Sequence, residues 1–241
     1  MKGAEDMNEC SRCQNHLHIC ARNVPIFSSL GPEELMDVGS LIRSVEYQKG
    51  ELLFSEGDIG TNLYIVRSGR IKLYTVSPDG RQQILRVLEP GDFFGELALF
   101  QDAPQNCFAE AMEASQVCLL GSSDMKALLQ RKPSVAVALI EAMSSRLAQA
   151  ERFIADLALK SVEERLVSWL IMEAKAGLQR EGEIEIRSPL SREELAQLLG
   201  TTIETISRRL NALQSEGLIA LRGHRSIIIR DLEGLQKVLT R

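Results

Sequence analysis

No apolar run in this chain approaches the length needed to cross a bilayer. The segment VAVALI, Val135–Ile140, is far short of the roughly 20 residues of a spanning helix. The first residues, MKGAEDMNE, lack the apolar core of a secretory signal, so a cytoplasmic location is expected. Histidine is scarce, with 3 in 241 residues, which leaves little general-base capacity. No Ser-His-Asp set, phosphate-binding glycine loop or paired-acid motif occurs either, and an enzyme is not expected. Positive charge is also in deficit. Lys and Arg number 28 against 33 Asp and Glu, a net charge of −5. Any binding of nucleic acid must therefore rest on a local patch.

What is present suggests two compact domains of mixed α+β class, since 241 residues exceed one typical core. An apolar content of 44% and a charged content of 25% suit a soluble globular chain. From about Pro25 to Gly121 the chain reads as short strands broken by glycine: ELLFSEGD, NLYIVRSGRIKLYTV, QQILRVLEPGDFFGELAL and QVCLLG. Turn glycines at Gly50, Gly57, Gly69, Gly80 and Gly91 fall at the intervals of a jelly-roll β-sandwich. A long helical stretch follows, PSVAVALIEAMSSRLAQAERFIADLAL. Its Ile140, Leu147, Ile154 and Leu157, with Met143 and Ala150, make an apolar seam near heptad spacing. That seam either packs on the chain's own β-domain or forms a homodimer coiled coil; the dimer is preferred. The expected domains are a cysteine-bearing segment (1–24), a β-roll (25–132), a dimerisation helix (133–160) and a C-terminal helical domain (161–241).

The densest functional signal lies in PLSREELAQLLGTTIETISRRLNALQSEGLI. Ser191 with Glu194 and Thr201 with Glu204 both have the form of a capping box, so two helices start here. Leu195, Ala196, Leu198 and Leu199 give the first an apolar side, and Gly200 suits the tight turn. In the second, Ile203, Ile206, Leu210 and Leu213 should face the core. That leaves Glu204, Ser207 and Arg208 on an outward face near the helix N-terminus, flanked by Thr202 and Thr205. A recognition helix reads base edges from that position. Arg208 can bond guanine O6 and N7, Glu204 can accept from a cytosine amino group, and Ser207 can reach a thymine edge. Two β-rich runs around Gly223 suggest a hairpin wing with Arg222 and Arg225 near phosphates, and His224 as a solvent or phosphate contact. From Thr201 to Arg230 five arginines stand against two glutamates, enough to neutralise a few phosphates.

Five cysteines occur, and three form a C-x2-C-x6-C pattern: Cys10, Cys13 and Cys20. In a chain without a secretory signal such a cluster points to metal rather than disulfides. Soft thiolates at this spacing suit an iron–sulfur cluster or zinc, and His16 or His18 could complete a zinc site. Cys118 and Cys107 are expected in adjacent strands, and simple packing is the alternative reading for each.

The order of β-roll, long helix and winged helix-turn-helix resembles the CRP/FNR family of bacterial transcription regulators. SEGDIGTNLYIVRSGRIKLY, GDFFGELALF, EERLVSWL and the E-T-I-S-R helix carry that resemblance. It implies a cyclic-nucleotide-binding-like roll, a homodimer on palindromic DNA and RNA polymerase as partner. Glu204, Ser207 and Arg208 match the E-x-x-S-R of the FNR branch, which implies inverted repeats close to TTGAT-N4-ATCAA. The FNR branch also implies a [4Fe–4S] cluster held by three N-terminal cysteines and one from the roll. Cys118 stands at that fourth position, and the second N-terminal gap is one residue longer than in the best-known pattern. In the CRP branch a Glu, here Glu96, and an Arg-Ser pair hold cyclic AMP. Asn106 and Cys107 replace that pair, and Ala150 replaces the threonine that meets the adenine. A buried phosphate would then lack its charge partner, so cyclic AMP is not expected. Ala150 also stands where an acidic residue opposes dimerisation in well-known FNR proteins, with Glu151 beside it, which favours a permanent dimer. The competing expectation is a small organic effector in the roll, with the cysteines as a thiol redox switch or zinc site.

Overall fold

The structure, a computed structural model, describes residues 24–100, 104–175, 177–180, 183–187, 190–223 and 226–239. The N-terminal cysteines and histidines, His224 and Arg225 lie outside the described residues. The chain folds as two units. One comprises residues up to Thr75 with Arg86–Arg146, the other Val76–Leu85 with the residues from Leu147 onward.

In the first unit a single 3-10 turn (Pro25–Phe27) leads into α1 (Pro32–Leu41), β1 (Ile42–Tyr47) and β2 (Leu52–Phe54). The chain continues through β3 (Asn62–Ser68), β4 (Ile71–Val76), β5 (Gln82–Leu88) and β6 (Phe93–Phe94). A short α2 (Leu97–Phe100), β7 (Phe108–Ala111), β8 (Ser115–Gly121), α3 (Ser122–Arg131) and the long α4 (Pro133–Leu159) follow. The strands form two four-stranded sheets, β1-β8-β3-β6 and β2-β7-β4-β5.

Both faces of the central strands β3 and β8 are apolar because both are covered, and alternate residues serve alternate cores. Leu63, Ile65, Cys118 and Leu120 join a helix-covered cluster with Val24, Ile26, Phe27, Met125 and Leu139. Tyr64, Val66, Val117 and Leu119 point the other way, into the space between the sheets, with Phe54, Leu73, Phe94 and Ala109. The five turn glycines all have positive φ, as the strand reading requires. α1 departs from that reading, which treats Pro25–Gly121 as strands. Its signals are local: Gly31 is the N-cap, Pro32 opens the helix, and the Gly31 N–H donates to Glu34 Oε2 at 2.8 Å.

The second unit continues from α4 through α5 (Val162–Ala174), β9 (Leu178–Arg180) and β10 (Glu183–Arg187). Then come α6 (Arg192–Leu199), α7 (Ile203–Ser215), β11 (Ile219–Arg222), β12 (Ser226–Ile229) and α8 (Leu232–Val238). Its sheet has the order β11-β12-β10-β9. The expected wing is the antiparallel β11–β12 hairpin, with Arg222 opposite Ser226 and Gly223 at φ +64°. Leu166, Leu170, Leu195, Ile206, Leu213, Ile219 and Leu235 are buried in the core of this unit.

The turn between α6 and α7 depends on Gly200, which is left-handed at φ 64°, ψ 48°. An added Cβ there would meet Leu157 Cδ2 at 3.1 Å and Gln83 Oε1 at 3.2 Å. A left-handed non-glycine residue costs roughly 1–2 kcal/mol before any crowding. Gly200→Ala is therefore expected to lower the unfolding free energy of the second unit by about 1–2 kcal/mol, read by urea denaturation. An unchanged midpoint would refute the assignment of strain to this turn.

Candidate nucleic-acid interface and cysteine sites

The first helix of the pair starts where the sequence places it. Ser191 Oγ accepts from the Glu194 N–H at 3.2 Å, and the Ser191 N–H donates to Glu194 Oε2 at 2.7 Å. The second start is displaced by one residue. Thr202, not Thr201, is the N-cap of α7, accepting from the Thr205 N–H at 3.3 Å. Thr201 is committed to closing α6, its N–H reaching Ala196 O at 3.0 Å. Ile206, Leu210 and Leu213 are buried as expected, whereas Ile203 is 42% exposed. It is the first residue of α7, directly after the Thr202 cap.

Glu204 and Arg208 are exposed on α7, and Ser207 is half-buried beside them. Arg208 Nη2 rests 3.5 Å from Thr205 Oγ1, and the Thr202 and Thr205 hydroxyls are 3.1 Å apart. The five predicted DNA-reading residues thus share one helical turn and its cap. The Glu204 carboxyl is held below its usual range, first by its own backbone N–H, then by the Thr202 hydroxyl and Arg208. It remains a charged acceptor at neutral pH.

Two residues that sequence reasoning passed over complete this surface. Arg192, the first residue of α6, places Nη1 3.4 Å from Ser207 Oγ. Arg165 donates to three carbonyls: Lys160 O at 2.9 Å, Leu199 O at 3.0 Å and Leu157 O at 3.4 Å. The free positive charge is smaller than the sequence suggests. Arg209 pairs with Glu163 at 3.7 Å and Arg230 with Glu183 at 3.4 Å, both acids lying outside the segment first counted.

In the first unit the Glu96 carboxylate faces Arg146, with Nη1 3.0 Å from Oε1. The Arg146 guanidinium stacks on Phe93, 3.8 Å from the ring centroid, and donates to Phe93 O at 2.5 Å. Burial, and next the nearby Arg146, hold the Arg86 guanidinium below its ordinary value. Glu96 is thereby occupied by a side chain of its own unit, although its Oε2 has no hydrogen-bond partner among the described residues.

The two roll cysteines are both buried and occupy different environments. Cys118 lies in β8, opposite Ser44 and Ile65, on the helix-covered face. Cys107 is not in a strand adjacent to it. It sits at a bend just before β7, belongs to the other sheet's side and packs between the sheets. Burial, then Glu56 and Glu96, push its thiol from the ordinary 9.0 up to about 11.

A β-roll followed by a long helix and a winged helix-turn-helix is the architecture of a DNA-binding regulator. Residues 44–132 match the family described as Cyclic nucleotide-binding domain, and residues 164–238 the Crp-like helix-turn-helix domain. The Anaerobic regulatory protein of Haemophilus influenzae is 33% identical over 226 residues, 92% of this chain and 87% of that protein. The Cyclic AMP receptor protein of Thermus thermophilus is 32% identical over 214 residues, 89% of this chain and 96% of that one. The solved structure of FixK2 from Bradyrhizobium japonicum gives a TM-score of 0.71 at 28% identity, covering 81% of this chain and 96% of that one. The chain belongs to the CRP/FNR family and is a DNA-binding transcriptional regulator. Relatives named for cyclic AMP and for anaerobic control match equally well, so the effector must be argued from this chain's own residues.

Cys107 gives a pH test of the roll. Its folded pKa lies above its ordinary value, so its contribution to stability is complete below about pH 9 and is lost as pH rises towards about 11. Iodoacetamide at pH 8 should leave Cys107 unlabelled in the folded chain and label it after denaturation. Rapid labelling of the native protein, read by peptide mass spectrometry, would contradict this placement.

Proposed function

We propose that this regulator senses oxygen or nitric oxide through a [4Fe–4S] cluster ligated by Cys10, Cys13, Cys20 and Cys118. The observation that carries the proposal is the company Cys118 keeps. Val24, Ile26 and Phe27, which begin only four residues after Cys20, pack in the same buried cluster as Cys118. Four residues of chain reach at most roughly 14 Å. Cys107 belongs to the opposite cluster, between the sheets and away from Val24, Ile26 and Phe27. The donor set of soft sulfurs fits the cluster, which when bound supplies a centre open to oxidation by oxygen or nitric oxide. The chain's part is to fasten its N-terminal segment to the roll.

Cyclic AMP is not the effector in this reading. Glu96 is engaged by Arg146, and Asn106 and Cys107 stand in place of the CRP branch's Arg-Ser pair, although the Arg86 guanidinium lies near Cys107. The chain acts as a homodimer. Ile140, Leu147 and Ile154, one heptad apart on α4, are 64%, 62% and 66% exposed, a line of side chains that a second copy would cover. The dimer reads an inverted repeat close to TTGAT-N4-ATCAA with Glu204, Ser207 and Arg208, and hands the signal to RNA polymerase.

Protein purified without air should be brown and contain iron and sulfide. Cys118→Ala should lose both, and Cys107→Ala should keep them. Colourless, iron-free parent protein would instead favour a thiol switch or an organic effector. Air exposure should weaken operator binding of the parent, and equal affinity before and after air would end the sensor role while leaving the transcription role intact. Arg208→Ala should lose roughly 1–3 kcal/mol of operator binding and relax discrimination at one base pair. A titration at fixed salt that finds the variant as tight as the parent would remove Arg208 from the reading set.

A further inference from the structure

We infer that Arg192 determines which kind of base edge Ser207 reads, by fixing the direction in which the Ser207 hydroxyl donates. The inference rests on α7 entering the major groove, and on neither the cluster nor the operator sequence proposed above. Arg192 opens α6, where the reciprocal Ser191–Glu194 cap pins the backbone. Its Nη1 lies 3.4 Å from Ser207 Oγ, with both residues half-buried. A guanidinium carries only donors, whereas a serine hydroxyl carries one donor and two acceptor lone pairs. The Ser207 oxygen must therefore accept from Arg192, and its proton must point elsewhere.

Within a helix the usual alternative for that proton is the carbonyl four residues back. Ser215 takes it, donating to Asn211 O at 3.0 Å. Ser207 makes no such bond among the described residues, so its proton is left for the outward face. With one lone pair taken by Arg192 and its proton free, the hydroxyl favours acceptors such as thymine O4 or a purine N7 over the amino groups of cytosine and adenine, which only its remaining lone pair could meet. The adjacent positive charge also strengthens the donor. Arg192 is thus a positioning residue for specificity, acting through Ser207.

The test is selection from a randomised duplex pool by the full-length protein, with thermal melting to check that each variant folds. Ser207→Ala should relax one base pair in each half-site. Arg192→Ala should relax the same pair about fivefold, the size of one neutral hydrogen bond. In the Ser207→Ala background it should only weaken all sites alike. Arg192→Lys can only donate and should keep the preference; Arg192→Met retains the aliphatic stem and replaces the alanine variant if that one does not fold. An Arg192 variant that binds every sequence less tightly by one factor, with its motif intact, would make Arg192 a phosphate contact and overturn the inference alone. A parent protein that enriches no motif would overturn it together with the reading of α7.

Discussion

Three carbonyl groups at the ends of two helices converge on the guanidinium of Arg165. Leu157 O and Lys160 O belong to the close of α4, and Leu199 O to the close of α6. The last carbonyls of a helix have no partner within it and carry the negative end of the helix dipole. A hydrogen bond to a charged donor contributes about 1.5–3 kcal/mol, less where water competes, and one half-buried cation here satisfies what would otherwise need several waters. The Ser161–Glu164 capping box fixes the first turn of α5, and with it the stem on which Arg165 stands. Gly200 then turns the chain directly after the third carbonyl. The start of α7, and the side chains on its first turns, follow from where those carbonyls are held.

The roll separates its two cysteines by the pleat of its strands. Along β8, Val117 and Leu119 enter the space between the sheets, while Cys118 and Leu120 enter the helix-covered cluster. A shift of one residue in register would exchange these faces. The same covered face receives Val24, Ile26 and Phe27, so the chain directly after the cysteine-rich segment is anchored where Cys118 lies. Cys107, between the sheets and near Glu56 and Glu96, stays a protonated thiol with the chemistry of a packing residue.

Legibility in the sequence followed the range of each interaction. The Ser191 cap, the Gly200 turn, the bounds of α4 and the strand-punctuating glycines depend on neighbours within a few residues, and all could be read. The start of α7 was misread by one residue because Thr201 and Thr202 are equivalent as letters. Only the closing bond from Thr201 to Ala196 O tells them apart. α1 went unread although its Gly-Pro-x-Glu start is local, since the β-rich composition around it set the expectation. Arg165 and Arg192 were invisible for a different reason. The partners that tie them to another helix lie 34 and 15 residues away, at Leu199 and Ser207. No spacing rule connects such pairs. The charge of the DNA surface was overcounted on the same ground, because Glu163 and Glu183 reach Arg209 and Arg230 only after folding.

That smaller charge bears on how the protein can hold DNA at all. Salt-dependent attraction scales with the number of phosphates neutralised, and the net charge of −5 works against approach. With Arg209 and Arg230 facing acids, Arg208 and Arg222 are the exposed arginines left on α7 and the β11–β12 hairpin among the described residues. So few phosphate contacts would give weak binding at physiological salt. Joining two copies makes the second half-site an intramolecular event at high effective concentration. On the dimer proposed above, the exposed apolar line of α4 becomes a condition of operator affinity, because with few free cations among the described residues the grip would come from symmetry and from base contacts.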